Sequence, residues 1–136
     1  MDLDENRMRT MHAALDRLIP ADDYPGGWDA GCGSYIMEQL GGQLTHLLPM
    51  YIAGLDGIDA EASAEYAQRF ADTDFERQDT LLRRIERGEV LASWQTDPKL
   101  FFAVLVSHAA EGYYANSAQG GNRDRVAWKM IGFNGR

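Results

Sequence analysis

A single cysteine, Cys32, rules out an internal disulfide and leaves the chain without the clustered thiols of a structural zinc site. A lone cysteine behaves as a small buried hydrophobe more often than as a reactive thiol, so Cys32 is assigned to the core. Basic side chains are scarce, 13 against 21 acidic ones, for a net charge of −8. A surface of that sign repels phosphate backbones, which speaks against nucleic-acid binding. No run of about 18 apolar residues occurs, so neither a spanning helix nor direct membrane insertion is expected. The opening stretch, Met-Asp-Leu-Asp-Glu-Asn-Arg, lacks the apolar centre of a secretory signal. The chain as given is therefore expected in the cytoplasm. The alternative is a periplasmic location, reached by co-export with a signal-bearing partner or after removal of a leader.

What is present suits one compact domain, residues 1–136, of which 45% are hydrophobic. Met8, Met11, His12, Leu15, Leu18 and Ile19 recur at helical spacing, with Asp4, Arg7, Asp16 and Arg17 off that face, until Pro20 stops the run. A second helix is expected over Asp29–Leu40, weakened by Gly31 and Gly33 at about 1 kcal/mol each. Leu44, Leu47, Leu48, Tyr51, Ile52, Leu55 and Ile58 make the clearest 3.6-residue stripe. That helix is expected to reach about Gln68, with a break near Gly57. Pro49 is tolerated there if the helix begins close by. Thr73-Asp-Phe-Glu76 has the form of a capping box and opens a helix that carries Phe75, Leu81, Leu82 and Ile85, ended by Gly88. Asp97-Pro98 pairs an N-cap with proline at the first helical position, ahead of Leu100, Phe101, Val104, Leu105 and His108. No convincing strand appears. The expected fold is all-α, a small bundle of about five helices (1–114) with an irregular C-terminal arm (115–136).

Helical bundles can house di-iron centres, which need Glu-x-x-His on two helices and a glutamate from each of two more. Here His108-Ala-Ala-Glu111 has the reverse order, and position 43, three before His46, is glutamine. A metal enzyme would have to be built from His46, His108, Glu111 and Glu38, too few for that geometry. The plainer reading of His12, His46 and His108 is a partly buried imidazole with one hydrogen-bonding partner. No serine sits in a nucleophile elbow. Gly120-Gly-Asn122 has no preceding strand and no following Gly-Lys-Ser/Thr, and Gly31-Cys-Gly33 lacks the strand–turn–helix setting of a dinucleotide site. No catalytic, cofactor-binding or metal-binding residue is assigned.

The arm is different in kind. Residues 112–136 carry Arg123, Arg125, Lys129 and Arg136 against Asp124 alone, so a basic tail follows an acidic body. Trp128, Ile131 and Phe133 suit groove filling, either on the chain's own helices or on another protein. Tyrosine and arginine anchor interfaces, which favours Tyr113, Tyr114, Asn122, Arg123, Arg125, Trp128, Lys129 and Phe133 as partner-facing residues.

Glu-Gly-Tyr-Tyr (111–114), Gly-Gly-Asn-Arg-Asp (120–124) and Trp-Lys-Met-Ile-Gly-Phe (128–133) together resemble the gluconate 2-dehydrogenase subunit 3 family. Leu18-Ile-Pro-Ala-Asp-Asp23, Phe70-Ala-Asp72, Gln78 and Leu81-Leu82 are weaker matches that extend the likeness along most of the chain. The resemblance implies an all-helical small subunit without a cofactor of its own. It also implies a large FAD-bearing partner of the glucose–methanol–choline (GMC) oxidoreductase type, acting on gluconate, glucose, fructose or a related sugar or glycoside. In such complexes a c-type cytochrome can carry the electrons onward. Small subunits of this kind support folding of the large one, and in many members carry a twin-arginine export signal. This chain has no such signal, and Ala127 stands where glycine is common before the tryptophan. A cytoplasmic complex resembling glycoside 3-dehydrogenase fits that pattern. Two other readings stay open: a stand-alone metal enzyme, and a chaperone that leaves once the flavin has loaded.

Overall fold

The computed structural model describes residues 3–22 and 24–117, and these form five α-helices without a strand. They are α1 (Glu5–Leu18), α2 (Cys32–Leu40), α3 (Leu48–Tyr66), α4 (Phe75–Glu86) and α5 (Pro98–Ser117), with 3-10 turns at Thr45–Leu47 and Phe70–Asp72. The all-α expectation holds, and each anticipated helix exists. The helical body runs three residues past its expected end at 114, and residues 118–136 of the arm lie outside the described residues.

α5 is the hub and packs against each of the other four helices. It is apolar around most of its girth, so it must be covered on several sides. Phe101, Phe102, Leu105, Val106, Ala109 and Tyr113 are all buried. Each fully buried large side chain contributes roughly 1.5–3 kcal/mol. Tyr51, Leu55 and Ile58 of α3, Ile36 and Leu40 of α2, and Leu81, Leu82 and Ile85 of α4 meet it, while α1 adds Met11, Ala14, Leu15 and Leu18. The charges that flank the apolar face of α1 tie it down. Arg7 forks onto Asp56 of α3 with two 2.9 Å bonds, and Arg17 forks onto Asp79 of α4 at 2.8 and 3.1 Å.

Several local expectations need correcting, each for a physical reason. α3 does not break at Gly57. A methyl there would overlap the Trp94 ring, and one at Gly54 would overlap Phe101, so these glycines let aromatic rings lie against the α3 backbone. Pro49 is the second residue of α3, where its missing N–H costs nothing. α2 begins at Cys32 rather than Asp29, because Gly31 adopts φ 95°, a left-handed conformation that a helix cannot include. The capping box before α4 is not formed. Asp74 is the N-cap and accepts from the Arg77 N–H at 2.8 Å, while the Thr73 hydroxyl turns back to the Phe70 carbonyl, also at 2.8 Å. Phe75, the first residue of α4, and Leu100, beside the buried Phe101 in the first turn of α5, are 66% and 51% exposed although both belong to the apolar runs of their helices.

Gly54→Ala is expected to destabilise the chain by about 1–3 kcal/mol through overpacking, even though alanine favours a helix by about 1 kcal/mol. A urea midpoint unchanged or raised in the variant would contradict the close approach of Phe101.

Candidate functional site

Among the described residues, a groove on the bundle surface combines apolar walls with polar groups. It lies between α1, the Phe70–Asp72 turn and α4, holds about 240 Å³, and is lined by Arg9, His12, Ala13, Asp16, Ala71, Phe75 and Gln78. Helical spacing puts Arg9, His12, Ala13 and Asp16 on one strip of α1, three and four residues apart. Arg9 bonds Asp72 at 2.9 Å, and His12 pairs with Asp16 at 3.2 Å. The His12 imidazole stacks on Trp28, centroids 4.5 Å apart, and Asp16 also accepts from the Trp28 backbone N–H. On the opposite wall the Arg17 guanidinium lies 4.5 Å over the Phe75 ring. Gln78 is buried beneath, its amide nitrogen donating to the carbonyls of Phe70 and Thr73 at 3.0 Å each. Its Oε1 is buried and has no hydrogen-bond partner among the described residues.

A second polar cluster lies where α2, α3 and α5 meet. Tyr51 is buried in α3, and its phenol is held protonated because burial pushes its pKa well up, with the charge of Glu111 adding to the effect. Its hydroxyl lies 2.6 Å from His108 Nδ1, and the two rings stack. Desolvation pushes the His108 pKa below its ordinary value, and the nearby Glu111 carboxylate only partly opposes this. Glu111 lies one turn along α5 from His108. It accepts from Tyr35 at 3.2 Å and from Ser107 at 3.5 Å. Such a pair of neutral rings can hold α3 against α5. Among the described residues no three histidine, cysteine, aspartate or glutamate side chains converge as metal ligands.

Cys32 lies where the sequence put it, in the core. Its thiol contacts the Ala109 carbonyl at 3.3 Å, and burial pushes its pKa to about 12, so it is not a ready nucleophile. Of the residues expected to face a partner, only two fall in the described part. Tyr113 is 2% exposed, belongs to the bundle's own core, and reaches the Pro25 carbonyl at 3.4 Å. Tyr114 is half-buried. Asn122, Arg123, Arg125, Trp128, Lys129 and Phe133 lie outside the described residues. The groove itself was missed by sequence reasoning, although one sign was present: Gln78 shares the 78, 81, 82, 85 stripe of α4 with three large aliphatics. A polar side chain on such a stripe marks a buried hydrogen-bonding duty.

Comparison with known proteins adds one finding. The model of the family described as gluconate 2-dehydrogenase subunit 3 matches residues 5–135. That match starts with the first residue of α1 and continues past α5, so it covers nearly the whole chain. No curated protein and no solved structure matches.

The depressed His108 pKa has a consequence for stability. The folded state holds this imidazole neutral, whereas the unfolded chain binds a proton near the ordinary value of 6.5. Stability contributed by the neutral form is present above that value and is lost as pH falls below it. His108→Gln is therefore expected to flatten the melting-temperature profile between about pH 6.5 and 5, above the range where most carboxylates titrate. Parallel profiles for variant and parent would rule out this role for His108.

Proposed function

The chain belongs to the gluconate 2-dehydrogenase subunit 3 family, and we propose that it acts as the non-catalytic small subunit of an FAD-dependent dehydrogenase complex. Its task is to bind and stabilise a large subunit of the GMC type that oxidises a sugar or glycoside, and to help that subunit mature. The observation that carries this reading is the family match over residues 5–135, since membership implies a larger dehydrogenase subunit. The body of the chain is consistent with it. Cys32, Tyr51 and His108 make their contacts within the bundle. No described helix is long and apolar enough to cross a membrane, so docking on the large subunit is the means of association proposed. On this reading FAD and the substrate reside on the large subunit. Electrons leave from there as well, to a c-type cytochrome where the complex has one.

Co-expression with the large dehydrogenase subunit is expected to yield a yellow complex that stays together through gel filtration. Clean separation of the two chains, or substrate oxidation by this chain alone, would defeat the reading. Within the complex, Trp128→Ala or Arg123→Ala is expected to lower the amount of complex recovered severalfold while turnover per bound flavin stays unchanged. A normal yield with slower turnover per flavin would instead place these residues in the chemistry.

A further inference from the structure

We propose that residues 90–96, in the connection between α4 and α5, form a strap that opens as one unit while the five helices stay folded, with the Glu61 carboxylate as its latch. The inference is independent of the subunit reading above.

The strap has few ties, and they lead to one place. It contains no helix or strand, and none of the residues from 88 to 100 is buried, whereas α4 before it and α5 after it both supply the core. Among the described residues, every hydrogen bond of residues 90–96 ends on Glu61: from the Leu91 N–H at 2.8 Å, the Ala92 N–H at 2.7 Å and the Trp94 indole at 2.9 Å. No backbone-to-backbone bond joins this stretch to a helix. Its apolar support is Val90 and Trp94, both only partly buried, and Trp94 rests on the bare backbone of Gly57. Leu91 is 60% exposed. A segment with so few buried contacts opens at less cost than the whole fold.

The flanking helices close themselves without the strap. Gly88 takes φ 76°, and the N–H groups of Gly88 and Glu89 end α4 on the carbonyls of Ile85 and Arg84. At the other side the Asp97 carboxylate accepts from the Lys99 and Leu100 N–H groups at 3.0 and 3.3 Å, and its carbonyl accepts from Phe101 at 2.9 Å. α5 keeps its seat during opening, because Phe101, Leu105, Ala109 and Tyr113 are buried in their own right.

Opening does not strand the latch either. A carboxylate that lost its donors and stayed dry would be heavily penalised. Here the strap is the cover, so its departure admits water to Glu61, while Arg84, 4.0 Å away, remains in place on α4.

Hydrogen exchange of the full chain, followed by NMR through low concentrations of urea, tests the strap. The Leu91 and Ala92 amides and the Trp94 indole are expected to share one opening constant. It should be roughly tenfold or more above that of the slowest α5 amides and nearly independent of urea. Glu61→Gln replaces one acceptor oxygen by an amide that itself donates, and should raise that constant about tenfold or more. Ile36→Val, a mild loss of packing in α2, should speed the slowest α5 amides severalfold and leave the three strap reporters unchanged, because closed and open forms share one core. Reporters that follow the α5 amides in urea, and accelerate with them in Ile36→Val, would show that the strap opens only with the whole fold and would overturn the proposal. Strap exchange unaltered by Glu61→Gln would do the same. Should that variant fail to fold, the parent and Ile36→Val decide between the two outcomes alone.

Discussion

The carboxylate of Glu61 is the constraint around which the bundle is arranged. It is 1% exposed in the C-terminal half of α3 and accepts from the backbone N–H groups of Leu91 and Ala92, at 2.8 and 2.7 Å, and from the Trp94 indole at 2.9 Å. Arg84 stands 4.0 Å away on α4. Burying a carboxylate costs several kcal/mol, and each hydrogen bond to a charged group returns about 1.5–3, so the three donors together offset the penalty. Their positions matter as much as their energy. All three lie in the connection between α4 and α5, which has no regular structure of its own. With that connection pinned to α3, Trp94 lies over Gly57, α5 starts at a fixed place, and Phe101 comes to rest on Gly54. The central helix is thus located by a polar group on its neighbour, and the apolar contacts then fill the space that this placement defines.

This explains what could be read in the sequence and what could not. Local chemistry was legible. Pro20, Pro98 and Gly88 bound helices because their own backbone limits act wherever they stand, and Gly88 indeed takes φ 76° after α4. The stripes of α1, α3, α4 and α5 were legible because burial imposes a helical period on apolar residues. Choices settled by distant neighbours were not. Thr73 and Asp74 are both competent caps, and the Phe70 carbonyl decides between them by taking the Thr73 hydroxyl. Gly57 looks like a weak point until Trp94, far along the chain, is seen to need its bare backbone. Glu61 and Gln78 are both polar residues on apolar stripes. That anomaly signals a tertiary duty without naming the partner.

The candidate groove was legible only in fragments. Phe70-Ala-Asp72 and Gln78 stood out by resemblance, yet only the fold shows that they form one unit in which Gln78 binds the Phe70 carbonyl beneath Ala71. The contribution of α1 through Arg9, Ala13 and Asp16 had no separate signal, because charged and small residues on a helix's outer strip are what solvent exposure alone would select, and His12, grouped by spacing with the apolar stripe, is exposed at the groove instead.

Tyr113 bears on how far a family signature can be read as an interface. In the Glu-Gly-Tyr-Tyr stretch, Glu111 accepts from Tyr35 and Gly112 lies where a side chain would crowd Tyr35 and Cys32. Tyr113 fills the core beside them. Three of the four residues are thus accounted for by the joint between α2 and α5, with no second protein required. A motif can be specific to a family because it builds the family's fold. What is then left for partner contact are side chains that the core does not bury, and among the described residues Phe75 is the most exposed of the large apolar ones, with the Arg17 guanidinium over its ring.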